Sequence, residues 1–184
     1  MHSLRFDPRT AQGKLVAWAF CCLASMAGAV HASDVADITQ LYRAGQTTEA
    51  FSKLDTLIGV RGERPDLRFL KGVLQVEARR TDEALVVFQQ LTEEFPELPE
   101  PYNNLAALYA ARGEFDKARA ALEGALRANP DFATAHQNLG DVYAQLAKQA
   151  YRRALQIDPS NRDIAPKLTS LRELTDLPVR RIAR

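Results

Sequence analysis

The sequence predicts an all-α fold, a solenoid of stacked helix–turn–helix units, and three observations support this prediction. First, one constant interval separates Ala50 from Ala84 and Ala84 from Ala118. Second, further positions repeat at the same interval: Leu54, Phe88 and Leu122, then Gly72, Ala106 and Gly140, then Pro96 and Pro130. Third, no stretch alternates polar and apolar residues for long enough to indicate a strand. A unit of this kind must stack on its neighbours to bury its apolar face.

Residues 1–32 differ from the repeats and predict a cleavable secretory signal peptide. The basic lead contains Arg5, Arg9 and Lys14. An uncharged apolar stretch covers residues 15–30, and small residues near its end favour cleavage after Ala32. The alternative is a retained membrane anchor, although this stretch is shorter than the roughly 20 residues that a spanning helix needs. With cleavage, we expect a periplasmic or secreted protein that has no membrane span.

The charge balance limits which partners the chain is expected to bind, and the positions of its cysteines limit which bonds can stabilise it. Lys and Arg number 24 and Asp and Glu number 23, so no basic excess indicates nucleic-acid binding. Both cysteines, Cys21 and Cys22, precede the predicted cleavage point. The mature chain could therefore form no disulfide, and packing alone must hold it together.

The third unit shows the repeat most completely. Tyr102, Leu105, Ala106 and Tyr109 recur at helical spacing, so they share one face of a first helix. Small residues in this register allow helices to approach closely, and larger ones fill the space between them. Pro130 lacks the amide donor that a continuing helix needs, so it separates the third unit from the fourth.

The third unit resembles the tetratricopeptide repeat, whose period of about 34 residues equals the interval from Ala84 to Ala118. The matching residues are Tyr102, Leu105, Ala106, Tyr109, Gly113, Ala118, Leu122 and Pro130. The resemblance covers nearly all of the chain after residue 32. The second unit departs from the family pattern, because Arg68 replaces a large aromatic residue, Gln75 a tyrosine and Arg79 the turn glycine. The whole chain is similar to small exported tetratricopeptide proteins of proteobacteria.

The predicted array covers residues 33–175. Its units lie at about 33–64, 65–98, 99–132 and 133–161, followed by a capping helix at 162–175 and a basic tail at 176–184. In the capping helix the inward residues are expected to be Ile164, Leu168, Leu171 and Leu174.

The fourth unit is shorter than the others. The repeat interval counted from Pro130 ends at position 164, whereas the proline that closes this unit is Pro159. The missing residues correspond to the turn that reads RGEFD in the third unit. We therefore predict one continuous helix over residues 133–157, although a tight kink near residues 147–149 is the alternative. Its inward stripe is predicted to contain Leu139, Tyr143, Leu146, Ala150, Ala154 and Ile157, with Gly140 at a close-packing position.

Residue-level support for an enzyme is missing from the sequence. The histidine at position 136 is the only one after the leader, and its repeat position favours a packed structural role over catalysis. Neither a cofactor nor a metal is predicted, since no ligand cluster or phosphate-binding loop is recognisable. The acidic residues Glu93, Glu94, Glu97 and Glu100 flank a proline turn and are expected to be solvated. An exported enzyme or assembly factor with an acidic or His136-centred site is the alternative function.

The resemblance implies a concave groove, lined by the first helices of the units, that binds partner proteins or peptide segments. The candidate lining residues are Phe69, Val73, Asn103, Asn104, Ala107, Ala110, Gln137, Asn138, Asp141 and Ala144. Asn104 and Asn138 occupy equivalent repeat positions, and their amides could both donate to and accept from a bound peptide backbone. Packing within the repeat explains them equally well. The expected function is a non-enzymatic scaffold or adaptor of the bacterial cell envelope, with pathway and oligomeric state left open.

Overall fold

A computed structural model describes residues 32–61 and 64–176, and over these residues the chain forms eight helices and no strand. The helices are α1 (Ala32–Arg43), α2 (Thr47–Arg61), α3 (Pro65–Glu77), α4 (Thr81–Glu94), α5 (Pro99–Ala111), α6 (Phe115–Ala128), α7 (Ala133–Ile157) and α8 (Ile164–Asp176). Consecutive helices pack against each other along the chain, and α5 also contacts α7. The predicted all-α solenoid is therefore confirmed.

The turns inside the first three units share one backbone conformation. Gly45, Arg79 and Gly113, which are equivalent in the repeat register, have positive φ angles of 80°, 61° and 76°. In each turn the next residue donates its amide to a carbonyl five positions earlier. These bonds are Gln46 to Leu41 at 3.0 Å, Arg80 to Gln75 at 2.8 Å and Glu114 to Tyr109 at 3.0 Å. This geometry is the Schellman motif, which ends one helix and redirects the chain to the next.

Close contact between the two helices of a unit depends on small residues. A Cβ atom placed on Gly72 would lie 2.7 Å from the ring of Phe88, which is fully buried. Likewise, a Cβ atom on Gly124 would lie 2.6 Å from the ring of Tyr102. A larger side chain at either glycine would separate the helices. The predicted close-packing role of Gly72 is thus confirmed.

Buried apolar residues form two clusters that meet at α3. The first cluster joins the first unit to α3 and contains Ile38, Ala50, Phe51, Leu54, Leu67, Leu70 and Leu74. The second runs from the other side of α3 into α7 and includes Val73, Val76, Phe88, Leu105, Leu122 and Val142. Each unit therefore completes its core only with the first helix of the next unit, as expected for a solenoid.

The fourth unit contains a single helix, as predicted. α7 runs without interruption for 25 residues, from Ala133 to Ile157, so the kinked alternative is wrong. α8 packs against it and buries Ile164, while Leu168 and Leu171 are half-buried. The side chain of Leu174 lies outside the described part of the chain.

Part of the predicted inward stripe of α7 is wrong. Tyr143 is 49% exposed and Ile157 is 72% exposed. Ala150 is exposed as well, whereas Leu139, Leu146 and Ala154 are half-buried as expected. A Cβ atom on Gly140 would meet no atom within 4 Å, and His136 is exposed rather than packed. His136, Gly140 and Tyr143 lie on the first half of α7, which the second helix of a complete unit would cover. Ala150 and Ile157 lie on the second half, which continues straight on instead of folding back.

Two predicted segments, one at each end of the chain, lie outside the described residues. The predicted signal peptide falls almost wholly in residues 1–31, and most of the basic tail lies in residues 177–184. Among the helices of the described ranges, none combines the length and the apolar character that a bilayer crossing needs.

Replacing Arg79 by glycine should stabilise the protein. Arg79 has a φ of 61°, whereas both equivalent turns use glycine. A left-handed conformation costs a residue with a Cβ atom about 1–2 kcal/mol, so Arg79→Gly should raise the free energy of unfolding by about 1 kcal/mol. The measurement is urea denaturation followed by circular dichroism. The matched control is Ala78→Gly, where φ is −72° and the substitution should destabilise instead. A loss of stability in Arg79→Gly would contradict the turn geometry.

Candidate functional site

The first helices of successive units place equivalent side chains side by side. Phe69 on α3, Asn103 on α5 and Gln137 on α7 are separated by one repeat each. Val73, Ala107 and Asp141 form a second row of the same period, one helical turn further along. All ten predicted groove residues therefore lie on α3, α5 and α7, as the repeat register requires. Whether a partner touches them stays a prediction.

Burial divides the ten residues into a floor and an accessible part. The floor is buried and contains Val73, Asn103, Asn104, Ala110, Asn138 and Ala144. The accessible part is half-buried and contains Phe69, Ala107, Gln137 and Asp141. The Phe69 ring lies 5.6 Å from that of Phe88, so its inner side is fixed by the core. The accessible residues, one aromatic, one small, one amide and one acid, can contact an extended chain through both apolar and polar groups.

Asn103 and Asn138 form a buried polar link between α5 and α7. The Asn138 Nδ2 atom donates a hydrogen bond of 2.8 Å to Asn103 Oδ1, and Asn138 and Asn103 are 0% and 3% exposed. A hydrogen bond in such a low-dielectric setting fixes the register of the helices that it joins. The repeat period makes Asn138 equivalent to Asn104. In the structure, however, Asn138 contacts Asn103, the residue that precedes Asn104.

Asn104 also makes a local hydrogen bond. Its Nδ2 atom donates to the backbone carbonyl of Glu100 at 3.0 Å, one turn earlier on α5. Both asparagines that were candidates for binding a peptide backbone therefore make hydrogen bonds within the fold, Asn138 between two helices and Asn104 within α5. This arrangement fits the packing alternative, and contact of these asparagines with a partner stays a prediction.

Residues of the alternative catalytic sites are also engaged in structural contacts. The Nε2 atom of His136 donates to the carbonyl of Pro130 at 2.8 Å. Arg68 Nη2 donates to Glu94 Oε1 at 2.9 Å, and this guanidinium lowers the pKa of the Glu94 carboxyl. A general acid needs the opposite shift, because it must keep its proton near neutral pH. The same ion pair occupies the repeat position where an aromatic residue was expected.

The last turns of α1 and α3 bring together three residues that sequence reasoning did not select. Burial raises the pKa of Glu77, with Arg43 acting in the opposite direction. The pKa of Tyr42 is raised first by burial and then by the charge of Glu77. No spacing in the sequence marked these residues, because the tyrosine and the glutamate do not recur in the other units.

The fold and the rows of equivalent side chains define a class of protein, a helical-repeat solenoid whose stacked first helices present an extended binding surface. Three family models described as "Tetratricopeptide repeat" match residues 38–99, 75–146 and 133–161. The chain belongs to the tetratricopeptide repeat family. Proteins of this family generally mediate protein–protein interaction, and its fold is typically a non-enzymatic scaffold.

Two known proteins illustrate the similarity. The tetratricopeptide repeat domain-containing protein PYG7, chloroplastic, of Arabidopsis thaliana is 33% identical over 86 residues. The match covers 44% of this chain and 29% of that protein, so the chain spans less than a third of this relative's length. The crystal structure of TTC0263, a thermophilic TPR protein of Thermus thermophilus, superposes with a TM-score of 0.55 and 21% identity. It covers 78% of this chain and 82% of that one, which supports the fold alone.

Removing the buried amide of Asn138 should destabilise the array. Asn138→Ala leaves Asn103 Oδ1 buried without its donor, which should lower the free energy of unfolding by about 1–3 kcal/mol. Adding Asn103→Ala should cost less than the sum of the two single changes, because both remove the same bond. Thermal and urea unfolding measure this coupling. The neighbouring Gln137→Ala, a half-buried control, should stay within about 0.5 kcal/mol of the wild type. Additive effects of the two asparagine changes would show that the bond does not hold α5 to α7.

Proposed function

We propose that the chain is an exported, non-enzymatic scaffold or adaptor of the bacterial cell envelope, which binds segments of partner proteins in its groove. The observation that carries this proposal is the accessible row of unlike side chains on successive first helices, Phe69, Ala107, Gln137 and Asp141. These residues stand over a floor that is closed by the Asn103–Asn138 bond. A partner would therefore meet a surface that is already organised, and binding would cost little ordering of the scaffold.

The chemistry of the accessible residues favours an extended segment that offers both apolar and polar groups. Phe69 offers an aromatic face, and Ala107 leaves space for a partner side chain beside it. Gln137 can donate to and accept from a peptide backbone. Asp141 adds a carboxylate, which favours a partner with a basic or amide group at that end.

Export rests on the leader sequence. The basic lead, the apolar stretch at residues 15–30 and the small residues before position 33 have the order of a secretory signal. The predicted cleavage point lies after Ala32. A chain cleaved there would keep every helix of the array apart from the first residue of α1.

Groove substitutions should weaken partner binding without unfolding the protein. Ala107→Arg and Gln137→Arg each place a long cation in the accessible part of the groove and should weaken binding at least about tenfold. The protein is used to capture partners from an envelope extract, and affinity is then measured with the purified partner. Ala120→Arg, an alanine exposed on the second helix α6, is the matched control and should bind normally. Equal binding by all three variants, at unchanged thermal midpoints, would place the partner site elsewhere.

The exported form should begin at Ser33 and contain no tryptophan, because Trp18 is the only one in the chain. Intact-mass measurement of protein recovered from the periplasm or medium tests the first point. Fluorescence excited at the indole band tests the second. An exported product that keeps indole emission would mean that the leader is retained as an anchor.

A further inference from the structure

We propose that the chain forms a homodimer in which two α7 helices lie antiparallel. Each copy then supplies, with the C-terminal half of α7, the second helix that the fourth unit of the other copy lacks. Four features of the described residues lead to this inference: a missing turn, an open face, a complementary half-helix and the charges of the two halves.

The missing turn leaves the fourth unit open within one chain. The left-handed residues at positions 45, 79 and 113 end the first helices of three units, and the next position in this series is Ala147. Ala147 lies inside the uninterrupted α7, so no reversal occurs there. The C-terminal half of α7 therefore points away from the face that its equivalents cover in the other units.

One face of α7 is exposed at five positions, with the half-buried Ala147 and Ala154 between them. His136, Gly140, Tyr143, Ala147, Ala150, Ala154 and Ile157 are separated alternately by four and three positions, the spacing by which one helix contacts another along a seam. Tyr143 is 49% and Ile157 is 72% exposed although α8 packs on the same helix. Two large apolar side chains thus stand in solvent on one seam, beside the empty space at Gly140.

The C-terminal half of α7 carries the side-chain pattern of a second helix. Counted back from the proline that ends each unit, Ala147, Tyr151 and Ala154 correspond to Ala118, Leu122 and Ala125, a small–large–small pattern. In the second unit the corresponding aromatic residue is Phe88, and it packs against Gly72. The equivalents of this contacting pair in the fourth unit are Tyr151 and Gly140. Tyr151 is half-buried, and the Lys167 ammonium of α8 lies 5.5 Å from its ring centroid over one face, so a partner would meet the other face.

Gly140 and Tyr151 cannot meet within one chain. They lie about three turns apart on the same helix, which separates them by about 16 Å along its axis. In an antiparallel pair, Gly140 faces Tyr151 of the partner subunit, and Tyr151 faces Gly140 of the partner subunit. A two-fold axis between the middles of the helices repeats this contact, as a symmetric dimer requires. Exchange of an equivalent element between copies is a known outcome when a hinge loop is shortened.

The charges of the two half-helices favour the antiparallel orientation. Residues 133–146 carry one charged group, Asp141, whereas residues 147–157 carry Lys148, Arg152 and Arg153. A parallel pair would place the two basic halves side by side. The antiparallel pair separates the two basic halves and places each along a half with no lysine or arginine, which avoids this repulsion.

The size of the open face sets the expected strength of the dimer. A helix of 25 residues presents a strip about 37 Å long and about 10 Å wide. This is about half of the roughly 800 Å² that each partner contributes to a standard stable interface. The dimer should therefore be reversible, with dissociation in the micromolar range.

Sedimentation velocity of the full-length protein from about 1 µM to about 100 µM tests the proposal. The average mass should rise from one towards two chains with concentration. Gly140→Leu should weaken association at least about tenfold, because leucine occupies the space that Tyr151 of the partner subunit needs. Adding Tyr151→Ala should restore part of the association. Gly59→Leu is the matched control, since Gly59 is an exposed helical glycine with open space around it, and it should dimerise normally.

Insertion of RGEFD after Leu146 gives a second and independent test. It restores a unit of full length together with its turn, so the C-terminal half can fold back on its own chain and the protein should become monomeric. Monomers at every concentration in the wild type would overturn the proposal and leave the open face to another occupant, such as residues 1–31 or 177–184. A dimer that survives both Gly140→Leu and the insertion would overturn it as well, because association would then use another surface.

Discussion

The architecture depends on one backbone constraint, a left-handed residue placed after the first helix of a unit. Where this residue occurs, at positions 45, 79 and 113, the chain reverses and the second helix covers the first. The reversal brings a small residue such as Gly72 against a ring such as that of Phe88, and this contact sets the distance between the helices. At position 147 the residue is an alanine within a helix, and the exposure of Tyr143, Gly140 and Ile157 follows from that change.

Much of the fold could be predicted because its determinants are local or periodic. The regular spacing of alanines and prolines predicts the units, and the shortened distance from Pro130 to Pro159 predicts the uninterrupted α7. Exposure along α7 could not be predicted in the same way. Repeat matching assigns Gly140 to a packed position on the assumption that its partner helix is present. In the fourth unit the residues still match the repeat, but the second helix does not fold back against Gly140.

In the candidate groove, too, the contacts of single side chains could not be predicted from the repeat register. The repeat register predicts which helices carry the lining residues, since that follows from chain topology. It cannot predict that Asn138 contacts Asn103 rather than a ligand, because a difference of one position decides which neighbour a buried amide reaches. Nor does any spacing indicate the cluster of Tyr42, Arg43 and Glu77, which forms where two non-equivalent helix ends meet.

The two apolar clusters that meet at α3 have a consequence for the order in which the chain matures during synthesis. The cluster of the first unit includes Leu67, Leu70 and Leu74, which belong to the next unit. As the polypeptide leaves the ribosome, α1 and α2 emerge first and can pack on each other, but their shared core is complete only after Leu74 has followed them. Each later unit waits in the same way for the helix behind it. Nascent chains of this protein should therefore gain protection in steps, each one helix behind the unit that it completes.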